Sequence, residues 1–308
     1  MLYDILLDVG GTGIKGGYYF VEDEVISELY CFPSHSDQEK DVIIKHLSSI
    51  CGQIWDSIKD EDKKVRSIRM AFPGPFEYDK GISKMKGLAK YESLINASIP
   101  KELICLGLKE AYPFLPKNEA DYKFMNDVKA YATGVMKQRG LSQGYRVLYL
   151  CIGTGAGSAY SVDGEISCDR AQGIPEHGWI YSIAYQNSII DDYISARGIG
   201  KLAQKYCNKA LTPLELSAMA QNGDDKAIQA YQEFGENLKA ALLPLLLQFG
   251  ANTLVIGGKI SLSGELFLTP IKESCARLGI DILLESDTSR LAIMGLTMLS
   301  VGRIYKVE

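Results

Sequence analysis

Short apolar runs and helical apolar stripes alternate along the chain. Residues 2–9 form an apolar run that ends at a pair of glycines, which is typical of a buried strand. Residues 36–59 place apolar side chains on one face at helical spacing, which predicts a helix. Ser36 and Glu39 have the spacing of a capping box, so we expect the helix to begin there.

The same patterns predict the remaining elements. Apolar or β-branched runs bounded by turn residues indicate strands at 16–20, 25–30, 67–72, 122–126, 145–152, 158–162 and 253–256. Helical spacing indicates helices at 127–139, over most of 189–237, at 237–249 and at 291–301. Residues 78–100 show neither pattern, and we expect a loop region with one short helix there.

Composition is that of a globular protein without a strongly charged partner. The chain has 308 residues, with 33 basic and 38 acidic side chains and a net charge of −5. This balance argues against nucleic acid or an anionic membrane bound by bulk charge. The most apolar stretch, 240–247, is too short to span a bilayer, and residues 1–10 lack the basic start of a signal peptide. The seven cysteines form no C-x-x-C pair, so we expect reduced thiols and a cytoplasmic location.

A glycine turn between two strands occurs twice. Residues 5–20 run strand, glycine turn, strand, and residues 146–162 repeat this order around Gly153, Thr154 and Gly155. We therefore expect two similar lobes, each of which opens with a β–glycine loop–β unit.

The first loop favours a metal–nucleotide site over a dinucleotide site. The glycines from Gly11 onwards fit G-x-G-x-x-G, but strand-forming residues follow where a dinucleotide fold needs a helix. Asp8, directly before the loop, would repel a phosphate unless Mg²⁺ lies between them. Thr12 offers a hydroxyl and Lys15 a cation to such a phosphate. The alternative is a tight hairpin that needs glycine only for its backbone.

With two further segments, the loops make the chain resemble a sugar kinase of the ROK family. Residues 8–15 resemble the family's first phosphate loop, and residues 152–157 resemble the second. Residues 254–261 resemble its adenosine segment, with Lys259 where the family has a third glycine, and residues 71–75 resemble its Pro-Gly-Pro turn. These matches occur in the family's order over nearly the whole chain.

The resemblance implies an α/β protein with the two-lobed, actin-like ATPase (ribonuclease H-like) fold. It implies an N-terminal lobe of residues 1–121 completed by a helix at about 291–308, a C-terminal lobe of 122–290, and an active site in the cleft between them. ATP and Mg²⁺ are the implied cofactors, and Asp8 would hold Mg²⁺ through water. The residues expected to bind the nucleotide are Asp8, Gly10, Gly11, Thr12, Lys15, Gly153, Thr154, Gly155, Gly257 and Gly258.

Asn126 and Asp127 lie between a predicted strand and a predicted helix, where such residues commonly cap the helix. In the family, an Asn-Asp pair between the two phosphate loops serves catalysis. The resemblance therefore implies that Asn126 binds the sugar and that Asp127 is the general base for its hydroxyl.

The segment after the second loop departs from the family. Glu176 and Gly178 match the family's Glu-x-Gly-His motif, but Trp179 stands in place of the His, and no cysteine occurs between Cys168 and Cys207. A structural zinc site needs such ligands, so we expect no zinc. Glu176 is expected to bind the sugar, and we expect Trp179 to pack rather than to give the sugar an aromatic face.

These observations predict a kinase that phosphorylates a hexose or an N-acetylhexosamine with ATP. Asp191 corresponds to a family Glu that contacts the sugar, although an acid at a helix N-terminus is an alternative explanation. The expected partners are a sugar and a nucleotide, without nucleic acid or membrane, in a homodimer. A degenerate kinase that senses sugar or nucleotide without catalysis is the main alternative, and polyphosphate is an alternative donor. The sequence leaves open which sugar and which hydroxyl are used.

Overall fold

The predicted strands and helices occur in the predicted order, but the pattern does not indicate the helices at 99–110 and 269–278 or the strand at 281–284, and the helix predicted at 237–249 begins at residue 225. The computed structural model describes residues 1–87 and 90–299. Its strands are β1 (Leu2–Val9), β2 (Gly13–Phe20), β3 (Val25–Ile26), β4 (Tyr30–Pro33), β5 (Lys64–Phe72), β6 (Phe76–Glu77), β7 (Ile82–Ser83), β8 (Tyr122–Asn126), β9 (Arg146–Ile152), β10 (Ala156–Val162), β11 (Glu165–Ser167), β12 (Ala184–Tyr185), β13 (Ser188–Ile189), β14 (Thr253–Gly257) and β15 (Asp281–Leu284). Its helices are α1 (Lys40–Ser57), α2 (Ile99–Glu110), α3 (Asp127–Arg139), α4 (Ala196–Cys207), α5 (Pro213–Gln221), α6 (Asp225–Phe249), α7 (Thr269–Leu278) and α8 (Thr288–Thr297).

Two sheets share one topology. The first has the order β3–β2–β1–β5–β8, with β4 paired to β2, and the second has the order β11–β10–β9–β14–β15. In each sheet an antiparallel hairpin (β1–β2 or β9–β10) precedes two strands that run parallel to its first strand. The predicted duplication of a β–glycine loop–β unit is therefore confirmed.

The chain divides into two compact units. One comprises Met1–Gln138 with the segment that begins at Ser289, and the other comprises Arg139–Thr288. The division falls after residue 138, not after residue 121, because β8 pairs in parallel with β5 of the first sheet. The end of the predicted C-terminal helix and of the first lobe, residues 300–308, lies outside the described residues.

Helix α1 covers the first sheet with the predicted apolar stripe. Its buried stripe residues are Ile43, Leu47, Ile50 and Ile54. The predicted capping box is wrong, because the helix begins at Lys40 and the side chain of Glu39 makes no capping bond. The Ser36 hydroxyl instead donates to the carbonyl oxygen of Gly11 at 2.6 Å, so it fixes the first glycine turn.

Helix α8 is attached to the first unit by glycine contacts and by a buried charge. A Cβ on Gly134 of α3 would lie 1.8 Å from the Leu291 carbonyl oxygen, so the two helices approach at backbone distance. At the other end of α8, Arg69 Nη1 donates to the Leu296 carbonyl oxygen at 2.9 Å. Arg69 also pairs with fully buried Asp4, with 2.9 Å between Nη2 and Oδ2.

Among the residues described, no helix combines the length and apolar character needed to cross a membrane.

Candidate active site

The carboxyl ends of three parallel strands meet at one edge of the first sheet. Asp8 of β1 lies opposite Ala71 of β5, and Phe72 of β5 lies opposite Asn126 of β8. Asp8 and the Asn126–Asp127 pair therefore lie at the same edge, with β5 between them. Ligands of open α/β sheets bind at this edge.

The carbonyl oxygens of the first glycine loop are held by the protein. The backbone N–H of Gly10 donates to the Gly13 carbonyl oxygen at 3.0 Å and closes the turn. Tyr91 Oη donates to the Gly10 carbonyl oxygen at 2.9 Å, and the hydroxyls of Ser34 and Ser36 both donate to the Gly11 carbonyl oxygen. The loop is thus fixed through its acceptors.

The donors of that loop are left for a ligand. Within residues 1–87 and 90–299, the backbone N–H groups of Gly11 and Thr12 have no protein acceptor. The Thr12 side chain is exposed, and Lys15 lies opposite Asp8 across the β1–β2 hairpin. A loop with tethered carbonyls and open N–H groups suits an anion.

Asn126 caps helix α3 and orients Asp127. Its Oδ1 accepts from the backbone N–H groups of Val128 and Lys129, both at 3.1 Å. Its Nδ2 donates to Tyr78 Oη at 3.1 Å and to Asp127 Oδ1 at 3.0 Å. Two acceptor positions and two hydrogens are the whole capacity of an amide, so this buried side chain is fully used.

The Asp127 carboxylate has one occupied and one open oxygen. Oδ1 accepts from Asn126 Nδ2 and from the Val128 backbone N–H at 2.9 Å, while Oδ2 has no donor in the part of the chain that the structure describes. Burial raises the pKa of Asp127, and the positive charge of Lys90 and the hydrogen bonds to Val128 and Asn126 oppose this rise. An oriented carboxylate with a raised pKa is typical of a general base.

Tyr78 stays a neutral phenol in this arrangement. Burial, followed by the charge of Asp127, raises the pKa of Tyr78 well above its usual range. Its hydroxyl donates to the Phe72 carbonyl oxygen at 3.1 Å and accepts from Asn126. It therefore links the end of β5 to the Asn126 amide.

Sequence reasoning missed the residues that hold the first loop and the Asn126 amide, and it missed the cation near Asp127. Ser34, Ser36, Tyr78 and Tyr91 contribute single polar atoms from distant segments, and no local pattern marks them. Lys90 lies beside the loop, because a Cβ on Gly11 would be 3.0 Å from Lys90 Cδ.

The second glycine loop repeats the design of the first. The backbone N–H of Gly153 donates to the Gly155 carbonyl oxygen at 2.9 Å, and the Gly153 carbonyl oxygen accepts from the Ala196 N–H at 3.0 Å. For the backbone N–H groups of Thr154 and Gly155, no acceptor occurs among the described residues. The Thr154 side chain is exposed, as Thr12 is in the first loop.

The predicted adenosine segment adjoins the second loop. Gly257 of β14 pairs with Cys151 of β9, and Gly258 follows with a φ of +94°. A Cβ on Gly258 would lie 2.2 Å from the Ile152 carbonyl oxygen, so only glycine permits this approach. The structure thus brings together the predicted nucleotide residues of the second unit.

Asp191 also contacts the second loop. Its Oδ1 accepts from the Ala156 backbone N–H at 2.6 Å, and its Oδ2 forms an ion pair with Arg197. Only 6% of Asp191 is exposed, so neither carboxylate oxygen is accessible to a ligand from solvent.

Glu176 lies at an open pocket in the same unit. The pocket has a volume of about 460 Å³ and is lined by Pro175, Glu176, His177, Trp179, Tyr181, Ser182 and Ile183. The ring centroids of Trp179 are 4.7 Å from His177 and 5.8 Å from Tyr181. Trp179 is half-buried and both packs against these rings and lines the pocket.

The residues described hold no cluster of three or more His, Cys, Asp or Glu side chains arranged for a metal. The absence of zinc stays a prediction, because the expectation rests on the missing Cys and His ligands of the sequence.

Two sheets of one topology, each with a glycine loop between its first two strands, define the actin-like ATPase fold. The chain belongs to the ROK family, whose sequence model matches residues 5–289. An N-acetyl-D-glucosamine kinase of Photobacterium profundum is 25% identical over 153 residues, which are 44% of this chain. The match spans only 50% of that relative's length.

Solved structures share this fold at low identity. A ROK family glucokinase of Streptomyces griseus, in complex with glucose and AMPPNP, gives a TM-score of 0.71 at 18% identity, covering 97% of this chain and 99% of that chain. A ROK family transcriptional regulator gives a TM-score of 0.70 at 16% identity, covering 97% of this chain and 81% of that chain. The family thus contains both sugar kinases and regulators.

Proposed function

We propose that the protein is a sugar kinase that transfers the terminal phosphoryl group of ATP to a hydroxyl of a hexose or an N-acetylhexosamine. The observation that carries the proposal is the Asp127 carboxylate, which has an open Oδ2 and a raised pKa at the sheet edge that also holds Asp8 and the first glycine loop. An oriented carboxylate with a raised pKa favours a kinase over a regulator that only binds sugar.

The residues of both loops fit the phosphates of ATP. Open N–H groups at Gly11, Thr12, Thr154 and Gly155 are the donors that phosphate oxygens need. Gly10 and Gly153 close the two turns, and Lys15 is the expected cation of the first loop. Gly257 and Gly258 would lie against the adenosine.

Asp8 fits Mg²⁺ held through water, because Mg²⁺ in nucleotide sites keeps several waters and needs only one or two carboxylates beside the phosphates. When bound, the cation would neutralise charge on the phosphates during transfer.

Asp127 would take the proton of the attacking hydroxyl on Oδ2, while Asn126 and the Val128 N–H hold Oδ1. The sugar contact predicted for Asn126 requires a bound hydroxyl to replace one of its four present partners, and Tyr78 is the side-chain partner that can yield. The Glu176 side chain is 75% exposed, with Oε1 3.9 Å from His177 Nε2, and its carboxylate can accept hydrogen bonds from sugar hydroxyls.

A donor–acceptor screen tests the proposal. Purified protein with Mg²⁺ is given ATP or polyphosphate together with glucose, N-acetylglucosamine or N-acetylmannosamine, and the phosphorylated sugar is measured by mass spectrometry. Asp127→Asn is the matched control for a contaminating kinase. Sugar binding in calorimetry without any phosphorylated product would support the sensor and refute the kinase. The homodimer and the cytoplasmic location stay predictions.

A further inference from the structure

Asp191, Ser195, Ala196 and Arg197, here called the brace, hold the second glycine loop at both ends. Asp191 Oδ1 accepts from the Ala156 N–H at 2.6 Å, and the Ala196 N–H donates to the Gly153 carbonyl oxygen at 3.0 Å. Ser195 Oγ donates to the Asp191 carbonyl oxygen at 2.5 Å and accepts from the Arg197 N–H at 3.2 Å. The brace therefore fixes both ends of the turn whose middle N–H groups are open.

The charges of the brace also fit a phosphate site. A buried carboxylate next to a phosphate loop would repel the phosphate unless a cation neutralises it. Arg197 supplies that cation from the first turn of α4, and its half-exposed guanidinium is paired with Asp191 Oδ2. Both Asp191 oxygens are thus engaged inside the protein, one by the loop and one by Arg197.

On the basis of the proposed function, we propose that Asp191 is a positioning residue of the nucleotide site. It holds the second glycine loop in its phosphate-binding shape, Arg197 neutralises it, and it does not contact the acceptor sugar. This role replaces the sugar contact that the family resemblance implies for the position.

Nucleotide affinity is the first readout. Calorimetry with AMPPNP and Mg²⁺ should show binding about tenfold weaker for Asp191→Ala, because the Ala156 N–H loses its acceptor. Asp191→Asn keeps an acceptor oxygen and should retain most of the affinity. Asp192→Asn is the control for the neighbouring charge, since that carboxylate contacts Ser188, Lys201 and, at 3.7 Å, Arg197 Nε, but no loop atom among those described.

The ion pair between Asp191 and Arg197 allows a second, independent test. Arg197→Gln leaves the buried carboxylate unpaired beside the loop and should weaken AMPPNP binding. Adding Asp191→Asn removes that charge, so the double variant should bind AMPPNP more tightly than Arg197→Gln alone. If Arg197 instead acted only as a direct phosphate contact, the double variant would be no better than the single one, and this would overturn the inference.

Steady-state kinetics separates positioning from a merely structural role. The brace variants should raise KM for ATP and leave KM for the sugar within about twofold, whereas global destabilisation would change both. A raised sugar KM with unchanged AMPPNP affinity would overturn the inference and leave the kinase proposal intact. A parent protein that binds AMPPNP but phosphorylates no sugar would refute the kinase, while the binding series would still decide the role of Asp191. A parent that binds no AMPPNP would refute both.

Discussion

Replacing Asp127 with Asn removes the proposed base and almost nothing else. The Asn side chain keeps an oxygen in place of Oδ1, so the hydrogen bonds from Asn126 Nδ2 and the Val128 N–H can both persist. Its amide nitrogen takes the place of Oδ2, which has no donor within the described part of the chain. The start of α3 should therefore remain intact, and the loss should be one of chemistry.

The expected loss follows from the role of a general base. Such a group contributes about 10²- to 10⁴-fold, so kcat should fall by at least about 10²-fold, or about 2.7 kcal/mol of transition-state stabilisation. Nucleotide affinity should stay within about twofold, because the N–H groups proposed to bind phosphate belong to the loops. The measurements are steady-state kinetics with the best sugar of the screen and calorimetry with AMPPNP.

Stability provides the control. Burial raises the pKa of Asp127, so the folded protein holds this proton more tightly than the unfolded chain does. The stability from the protonated carboxyl is present in acid and is lost as the pH rises through the raised pKa. Asn does not ionise, so the Asp127→Asn variant should melt no lower than the parent near neutral pH. A kcat within threefold of the parent's would refute the assignment of the base, and a large drop in melting temperature would refute the structural reasoning.

Four further predictions test other parts of the structure. Lys90→Met removes a charge that lowers the pKa of Asp127, so the acidic limb of the kcat/KM profile should move to higher pH; an unmoved limb, or one at lower pH, would contradict this. Asp4→Ala removes the carboxylate partner of buried Arg69, which costs about 3–5 kcal/mol and should lower the melting temperature by at least about 6 °C. Glu77→Ala, which breaks an exposed ion pair, is the control and should change the melting temperature little. Glu176→Gln should lower sugar kcat/KM by roughly 5- to 150-fold with ATP affinity unchanged, and a lower melting temperature with intact sugar KM would remove Glu176 from the site. Elemental analysis should find no stoichiometric zinc, and one tightly held zinc per chain would contradict the interpretation of residues 176–195.

The parts of the fold that the sequence predicts well are those that local backbone chemistry determines. β1 and α3 have the predicted bounds, because an apolar run before two glycines and an Asn-Asp pair before a helical stripe each mark an element end. The glycine loops are equally visible, since tight turns and close backbone approaches leave few alternatives to glycine.

Groups supplied by distant segments were not predictable in the same way. Ser36 has the right spacing to cap α1, yet its hydroxyl is bonded to the Gly11 carbonyl oxygen, 25 residues away. One hydroxyl proton can serve only one strong acceptor at a time, and sequence spacing gives no information about the distant acceptor. The division between the units has the same cause, because β8 belongs to the first sheet through its pairing with β5, far earlier in the chain.

Capping and the proposed catalysis are compatible explanations of the Asn126–Asp127 motif. Asn126 Oδ1 caps α3, and because this cap fixes the amide plane, Nδ2 is directed at both Asp127 Oδ1 and Tyr78 Oη. The cap is therefore what orients the carboxylate, and Asp127 Oδ2 is left without a donor among the described residues. The helix N-terminus favours an acid at the first helical position, but desolvation of this half-buried charge raises its pKa and costs stability. The occurrence of this costly charge at the sheet edge that also holds the first glycine loop is the strongest physical reason to regard this edge as a site of chemistry.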